Sequence, residues 1–185
     1  MHTQVTPLHV YQRTLPPDTQ HSLGLLASWI PAGARVLDLG CGAGGLGQLL
    51  RARGIELIDG LTYNPAEAEV ARPWYRRVEV VDLETCDLAT LLGGQRYDAI
   101  VCADVLEHLR APEKLLDQCR HCLAPRGQLL ASIPNAGHAG LIGELLDGRL
   151  TYREEGLLDR THLRFFTRRS WLGFLAEHGW GATRL

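Results

Sequence analysis

No stretch of the 185 residues is apolar for as long as a membrane-spanning helix requires, and the first 20 hold no signal-peptide core. There is also no internal repeat and no low-complexity tract, so neither a repeat array nor a disordered chain fits. Surplus positive charge is missing: the formal net charge is −2. That balance excludes a nucleic-acid-binding cation and leaves only a local basic patch. The cysteines, at 41, 86, 102, 119 and 122, are odd in number and sit mostly in apolar runs. Reduced thiols in a cytoplasmic protein fit this better than a disulfide framework. With 45% hydrophobic residues the chain can bury a sizeable core, and its length fits one domain, 1–185. Small-molecule chemistry is the class left standing.

The richest stretch is Arg-Val-Leu-Asp-Leu-Gly-Cys-Gly-Ala-Gly-Gly-Leu-Gly-Gln-Leu-Leu, residues 35–50. Val36 to Leu39 reads as a buried strand, the glycines at 40, 42, 44, 45 and 47 as a turn, and Gln48-Leu49-Leu50 as the start of a helix. A strand that passes through glycines into a helix leaves backbone N–H groups unpaired. It also removes the Cβ atoms that would keep a ligand away from them. Gly40, Gly42 and Gly45 satisfy the G-x-G-x-x-G spacing, which by itself names no ligand. Asp38 adds information, because a buried charge must meet donors. It can brace the loop and, through water, hold a ligand's ammonium group. A purely structural glycine turn is the alternative.

This stretch closely resembles the first motif of class I S-adenosylmethionine-dependent methyltransferases, and the likeness extends over about residues 20–180. It implies a Rossmann-like α/β fold, a doubly wound and mostly parallel sheet with helices on both faces, and S-adenosylmethionine as cofactor. Gly40, Cys41 and Gly42 would then cradle the cofactor, with Asp38 behind them. By the same resemblance, Tyr11 closes over the cofactor, Asp82 and Leu83 after the third strand meet the adenine, and Ala103 and Asp104 after the fourth lie by the methionine moiety. The sequence departs from the pattern at the second strand. There the family carries an acid for the ribose hydroxyls, whereas Gly60-Leu61-Thr62-Tyr63-Asn64-Pro65 puts Thr62 in that place. Thr62 could still accept a ribose bond and Tyr63 lie against the sugar or base; otherwise Thr62 is an ordinary strand end. Asp59 falls about 20 residues after the glycines, where a nicotinamide dehydrogenase would carry its acid.

The rest of the chain alternates helix and strand. A polar lead-in, 1–17, precedes a helix capped by Asp18 or Thr19 and ending near Ile30. Strands are expected at 55–61, 78–81, 97–103 and 128–133, and a sixth begins at Trp180 and breaks off. The basic run 72–77 reads as a solvated helix end. Asn64 caps the third helix, Pro112 starts another that buries Cys119 and Cys122, and Ser170 caps the last. Cys119-Arg120-His121-Cys122 has no second pair, so no metal site is expected.

Asp104-Val105-Leu106-Glu107-His108-Leu109 contains a Leu-Glu-His pattern that recurs in ubiquinone-biosynthesis O-methyltransferases. His108 can take a proton from a hydroxyl as it is methylated, or tie a helix to a loop. Residues 135–167 break the rhythm as a long polar insertion and are expected to form a substrate lid. Within it, 157–167 resembles a bacterial branch linked to polysaccharide or O-antigen modification. Asp159, Arg160 and His162 either meet a hydroxylated or phosphate-bearing substrate or pin the lid to the body. His108 and His162 therefore compete as proton acceptor. The reading is a methyltransferase acting on a hydroxyl of a small molecule or saccharide, with neither nucleic acid nor a membrane span. A non-catalytic, cofactor-binding partner protein resembling the W protein of methionine biosynthesis is the second reading. An exposed last strand would then invite a partner chain or a second copy.

Overall fold

The computed structural model describes residues 21–185. Helix α1 (Ser22–Trp29) starts at His21, whose Nδ1 accepts from the Gly24 N–H at 3.1 Å. The expected caps Asp18 and Thr19 lie outside the described residues. Strand β1 (Val36–Leu39) is buried along its whole length, as a strand with a neighbour on each side must be. Helix α2 (Gly45–Ala52) follows from Gly44, whose φ of 94° turns the chain into it. Strand β2 (Ile58–Thr62) is shorter than the apolar run suggests. Asn64 then caps α3 (Pro65–Ala71), accepting from the Ala66 N–H at 2.9 Å.

A 3-10 turn at Arg72–Trp74 leads into β3 (Arg77–Val80), and α4 (Leu88–Leu91) leads to β4 (Tyr97–Ala103). Helix α5 (Pro112–Cys122) runs directly into β5 (Leu123–Ser132). Residues 125–127, ahead of the strand start expected at 128, lie inside β5 as an irregularity. Tyr97 pairs with Leu123 but Ala99 with Gln128, and Arg126 has a φ of 66°. Helix α6 (Ala139–Leu146) lies in the insertion, and α7 (Arg168–Glu177) closes the succession. Thr167, not Ser170, caps α7; Ser170 is its partner in a reciprocal capping box. The expected sixth strand does not form: residues 180–185 join no strand. Trp180 lies under the Arg120 guanidinium and Arg184 reaches over Trp29.

The five strands pair in parallel in the order β3-β2-β1-β4-β5. One apolar layer packs α1, α2 and α3 on the sheet through Leu26, Ile30, Leu46, Leu50 and Ala68. The other packs α4, α5 and α7 through Leu88, Leu115, Leu116, Cys119 and Trp171. Cys119 and Cys122 are buried free thiols, as expected of core residues. No described helix is long and apolar enough to cross a membrane.

This order decides where a site can be. The chain walks outward from β1 to β3, then returns to place β4 on the other side of β1. Connections leave these two strands in opposite directions, and a crevice opens beyond their carboxyl ends.

Candidate functional site

Beyond the ends of β1 and β4 lies an open cleft of about 1370 Å³. Drug-sized ligands occupy pockets of roughly 300–1,000 Å³, so the cleft has room for two small molecules together. All of the expected cofactor contacts from Asp38 to Asp104 border it, as do His108 and His162. Tyr11 lies outside the described residues.

The glycine loop forms one wall. The N–H groups of Gly40 and Cys41 both donate to the Leu61 carbonyl at 2.8 Å, which ties the loop to β2. Gly40 has a φ of 75°, and a Cβ there would come within 2.4 Å of a Val105 methyl. No other residue can occupy the position without moving the loop. Gly47 has a different task. Its Cβ would strike the Tyr75 ring at 2.4 Å, so its absence seats Tyr75 beneath the loop. The Tyr75 hydroxyl donates to Asp38 Oδ2 at 2.6 Å and accepts from the Gly47 N–H at 3.0 Å. Burial pushes the Asp38 carboxyl up to about 7, with the Tyr75 bond opposing it. A cation arriving in the cleft would draw Asp38 into its charged form.

At the end of β2, Thr62 is buried and its hydroxyl is already engaged. It donates to Glu67 Oε2 at 3.3 Å and is approached by the Asn64 N–H at 3.4 Å. Tyr63, by contrast, is 62% exposed at the cleft mouth. Asp82 turns one oxygen to the Glu84 N–H at 2.9 Å, and Leu83 sits beside it on the rim. Asp104 holds a φ of 53°, a left-handed conformation unusual for a side-chain-bearing residue. The Ser132 hydroxyl fixes it at 2.9 Å.

Asp59 is nowhere near this cleft. It accepts from Arg76 twice, at 2.6 and 3.0 Å, from the Tyr97 hydroxyl at 2.8 Å and from Gln95 at 3.2 Å. Burial opposes its ionisation, but these donors still hold its carboxyl below the ordinary range. A residue so occupied cannot take a ribose, which removes the support for a dehydrogenase. Arg76 stays exposed, as the solvated run suggests, while its guanidinium reaches Asp59.

The far wall is built by residues 104–108 and the insertion. Glu107 is 1% exposed, and among the described residues neither of its carboxyl oxygens has a hydrogen-bond partner. Burial pushes it up to about 8. The Nε2 of His162 stands 3.9 Å from Glu107 Oε1, and the His108 and His162 ring centres are 4.8 Å apart. The tautomers follow from the partners. A carbonyl only accepts, so His162 Nδ1, 3.2 Å from the Leu157 oxygen, carries the proton. His108 Nδ1 meets the Thr161 carbonyl at 3.3 Å and the Thr161 hydroxyl at 3.0 Å, while that hydroxyl donates to Asp159 at 2.6 Å. His108 Nδ1 is therefore also the donor. In both neutral imidazoles the bare lone pair is on Nε2. Burial and the neighbouring His162 hold His108 below the usual histidine range. Glu107, His108 and His162 bring one donor atom each within 4.8 Å of one another, a set that also suits a transition-metal ion.

The insertion is pinned to the body, and of the residues that stood out in sequence His162 takes part, through Glu107 and the His108 ring. Asp159 is buried and caps the turn at Thr161, and Arg160 pairs with Glu154 at 2.9 Å. Further ties to the body are Leu163 and Arg164 N–H to the Glu107 carbonyl, Arg164 to the Arg110 carbonyl, and Thr161 to His108. Sequence reasoning missed Tyr75 and Glu67 as parts of the site, and it read Glu107 only as part of a family pattern. A carboxylate two residues inside the α3 N-terminus, after Asn-Pro, was the available signal for Glu67.

The profile of a methyltransferase-domain family matches residues 11–184. A ubiquinone biosynthesis O-methyltransferase of Xylella fastidiosa is 36% identical over 107 residues, 56% of this chain and 43% of that protein. The enzyme of the same name from Acinetobacter baylyi is 30% identical over 140 residues, 72% of this chain and 56% of that one. The chain thus spans about half the length of these curated relatives. Among solved structures, a Thermotoga maritima S-adenosylmethionine-dependent methyltransferase, described as a possible histamine N-methyltransferase, superimposes with a TM-score of 0.64 at 17% identity. It covers 87% of this chain and 70% of its own. A methyltransferase from Bacillus halodurans gives 0.63 at 20% identity, covering 85% and 68%.

The chain belongs to the class I S-adenosylmethionine-dependent methyltransferases. Membership of that class implies S-adenosylmethionine as the molecule that the cleft would hold. The residues present fit that molecule: a loop left clear of side chain at Gly42, an acid at Asp38 ready to face a cation, and a further acid, Asp82, bordering the same cleft.

Proposed function

We propose that this protein methylates a hydroxyl oxygen of a small hydroxylated molecule or saccharide. The observation that carries the reading is the part of the cleft beyond β4, where two imidazoles with bare Nε2 atoms lie beside a buried carboxyl group that no described residue hydrogen-bonds. S-adenosylmethionine supplies a methyl group already activated on a sulfonium. Gly40, Cys41 and Gly42 would cradle it, Asp38 would face its ammonium end, and Asp82 with Leu83 its base.

The protein's main contribution is then alignment of the acceptor oxygen with the methyl carbon, which can supply several kcal/mol of the barrier, roughly 7–11 in well-oriented cases. The proton that the acceptor hydroxyl gives up on methylation would pass to an imidazole Nε2. His162 Nε2 lies beside Glu107, so the carboxylate form of Glu107 would stabilise the imidazolium that results. His108 offers a second acceptor on the same wall. The polar insertion over the cleft supports a hydroxylated acceptor, and the outer edge of β5, unpaired among the described residues, supports docking of a partner chain or second copy.

The test is a screen of phenols, catechols and sugars with isotopically labelled S-adenosylmethionine, followed by product analysis. Label appearing on oxygen is expected. Replacing the proton-accepting histidine by alanine should lower kcat by about 10²-fold with KM little changed, and the other histidine is eliminated by a variant that turns over normally. Label found on nitrogen or carbon in place of oxygen would sink the reading.

A further inference from the structure

Thr62 stands where relatives of this class carry the ribose-binding acid, and the structure shows what has happened around it. Its hydroxyl points at a carboxylate, Glu67 Oε2, 3.3 Å away. Glu67 belongs to the first turn of α3, is 6% exposed and borders the cleft. The same oxygen lies 4.0 Å from where a Cβ on Gly42 would sit, so it faces the glycine loop directly. A helix N-terminus favours negative charge there, and the donor from Thr62 fixes the orientation.

We propose that Glu67 supplies the carboxylate that the end of β2 lacks, and that it, with Thr62 as its positioning residue, binds the ribose hydroxyls of the cofactor. The proposal rests on the methyltransferase reading of the cleft. A helical residue five positions on reaches the place that a strand-end acid fills elsewhere. The sequence departure is then a relocation of the charge. A carboxylate accepts two bonds at once, as vicinal hydroxyls require, whereas the Thr62 hydroxyl has already spent its proton on Glu67.

Calorimetry with S-adenosylhomocysteine and its 2′-deoxyribose analogue separates the possibilities. Wild type should bind the natural ligand in the micromolar range and the deoxy analogue more weakly. Glu67→Ala should weaken the natural ligand by about 10–100-fold, the range for charged hydrogen bonds, and cost the deoxy analogue several-fold less. Glu67→Ala combined with Thr62→Asp should recover most of the lost affinity. Equal losses for both ligands, or an alanine variant that binds like wild type, would overturn the proposal while leaving the cofactor reading intact. No binding of either ligand by wild type would instead bring down the cofactor reading itself. Thermal melts of each variant check that the fold is kept.

Discussion

Two buried carboxyl groups, each 1% exposed, have opposite surroundings. Asp59, in the second position of β2, accepts bonds from three side chains and is held in its charged form. Glu107, beyond the carboxyl end of β4, has no hydrogen bond to either oxygen from the described residues and is held towards its neutral form. The first arrangement is complete within the protein, and nothing remains for a ligand to do. The second is incomplete, and an unsatisfied buried acid is costly unless something else meets it. Asp38 lies between the two, with the Tyr75 hydroxyl on one oxygen. Asp59 and Glu107 thus mark two extremes: one carboxylate satisfied within the protein, the other left for a ligand or solvent to meet.

The largest effect should come from breaking the saturated group. Asp59→Ala strands Arg76, Tyr97 and Gln95 and should cost about 3 kcal/mol. For a chain of this size that lowers the melting temperature by about 10 °C, with S-adenosylhomocysteine affinity unchanged in the folded protein. Loss of ligand affinity without loss of stability would reverse the contrast.

Tyr75→Phe is a gentler probe. It removes the bond to Asp38 but keeps the ring between Gly47 and Gly60, and should cost about 1 kcal/mol. Because that bond lowers the Asp38 pKa, its loss moves the titration upward from about 7. Binding of a cationic ligand should then reach full strength at a higher pH than in wild type. Titration at several pH values checks this, and superimposable profiles would detach Tyr75 from the site. Arg164→Ala, which frees the Arg110 carbonyl at an exposed contact, should change stability by less than about 0.5 kcal/mol.

Much of the scaffold was legible because its signals are local. Tyr97–Ala103 is the strand that its apolar run announces, and the glycine loop declares itself by spacing alone. Asn64-Pro65 marks a helix start through a cap two residues long in reach. The sixth strand was misread because Trp180 and Arg184 look like strand residues but are consumed in cation–π contacts with Arg120 and Trp29. At the site, spacing could place Asp38 and Gly40. It could not show that Tyr75, 37 residues away, reaches back under them. Nor could it separate Asp59 from Glu107, since the difference lies in partners brought by other strands and by the insertion. Cys119 and Cys122 were legible as core thiols from helical spacing, whereas the donors Glu107, His108 and His162 meet only when 157–164 folds back over β4.

The most direct test of the contrast is the pH dependence of stability in wild type and Glu107→Gln, measured by equilibrium denaturation between pH 4 and pH 9. In wild type, folding holds a proton on Glu107 that the unfolded chain releases above about 4.5, so stability should fall as pH rises towards about 8 and then level off. The glutamine variant has no such proton and should escape that fall, ending about 3.5 kcal/mol more stable relative to wild type at pH 8 than at pH 5. Asp38 titrates in both proteins and cancels in the difference. Parallel curves would mean that Glu107 is satisfied in solution and that the deficit at this end of the sheet does not exist.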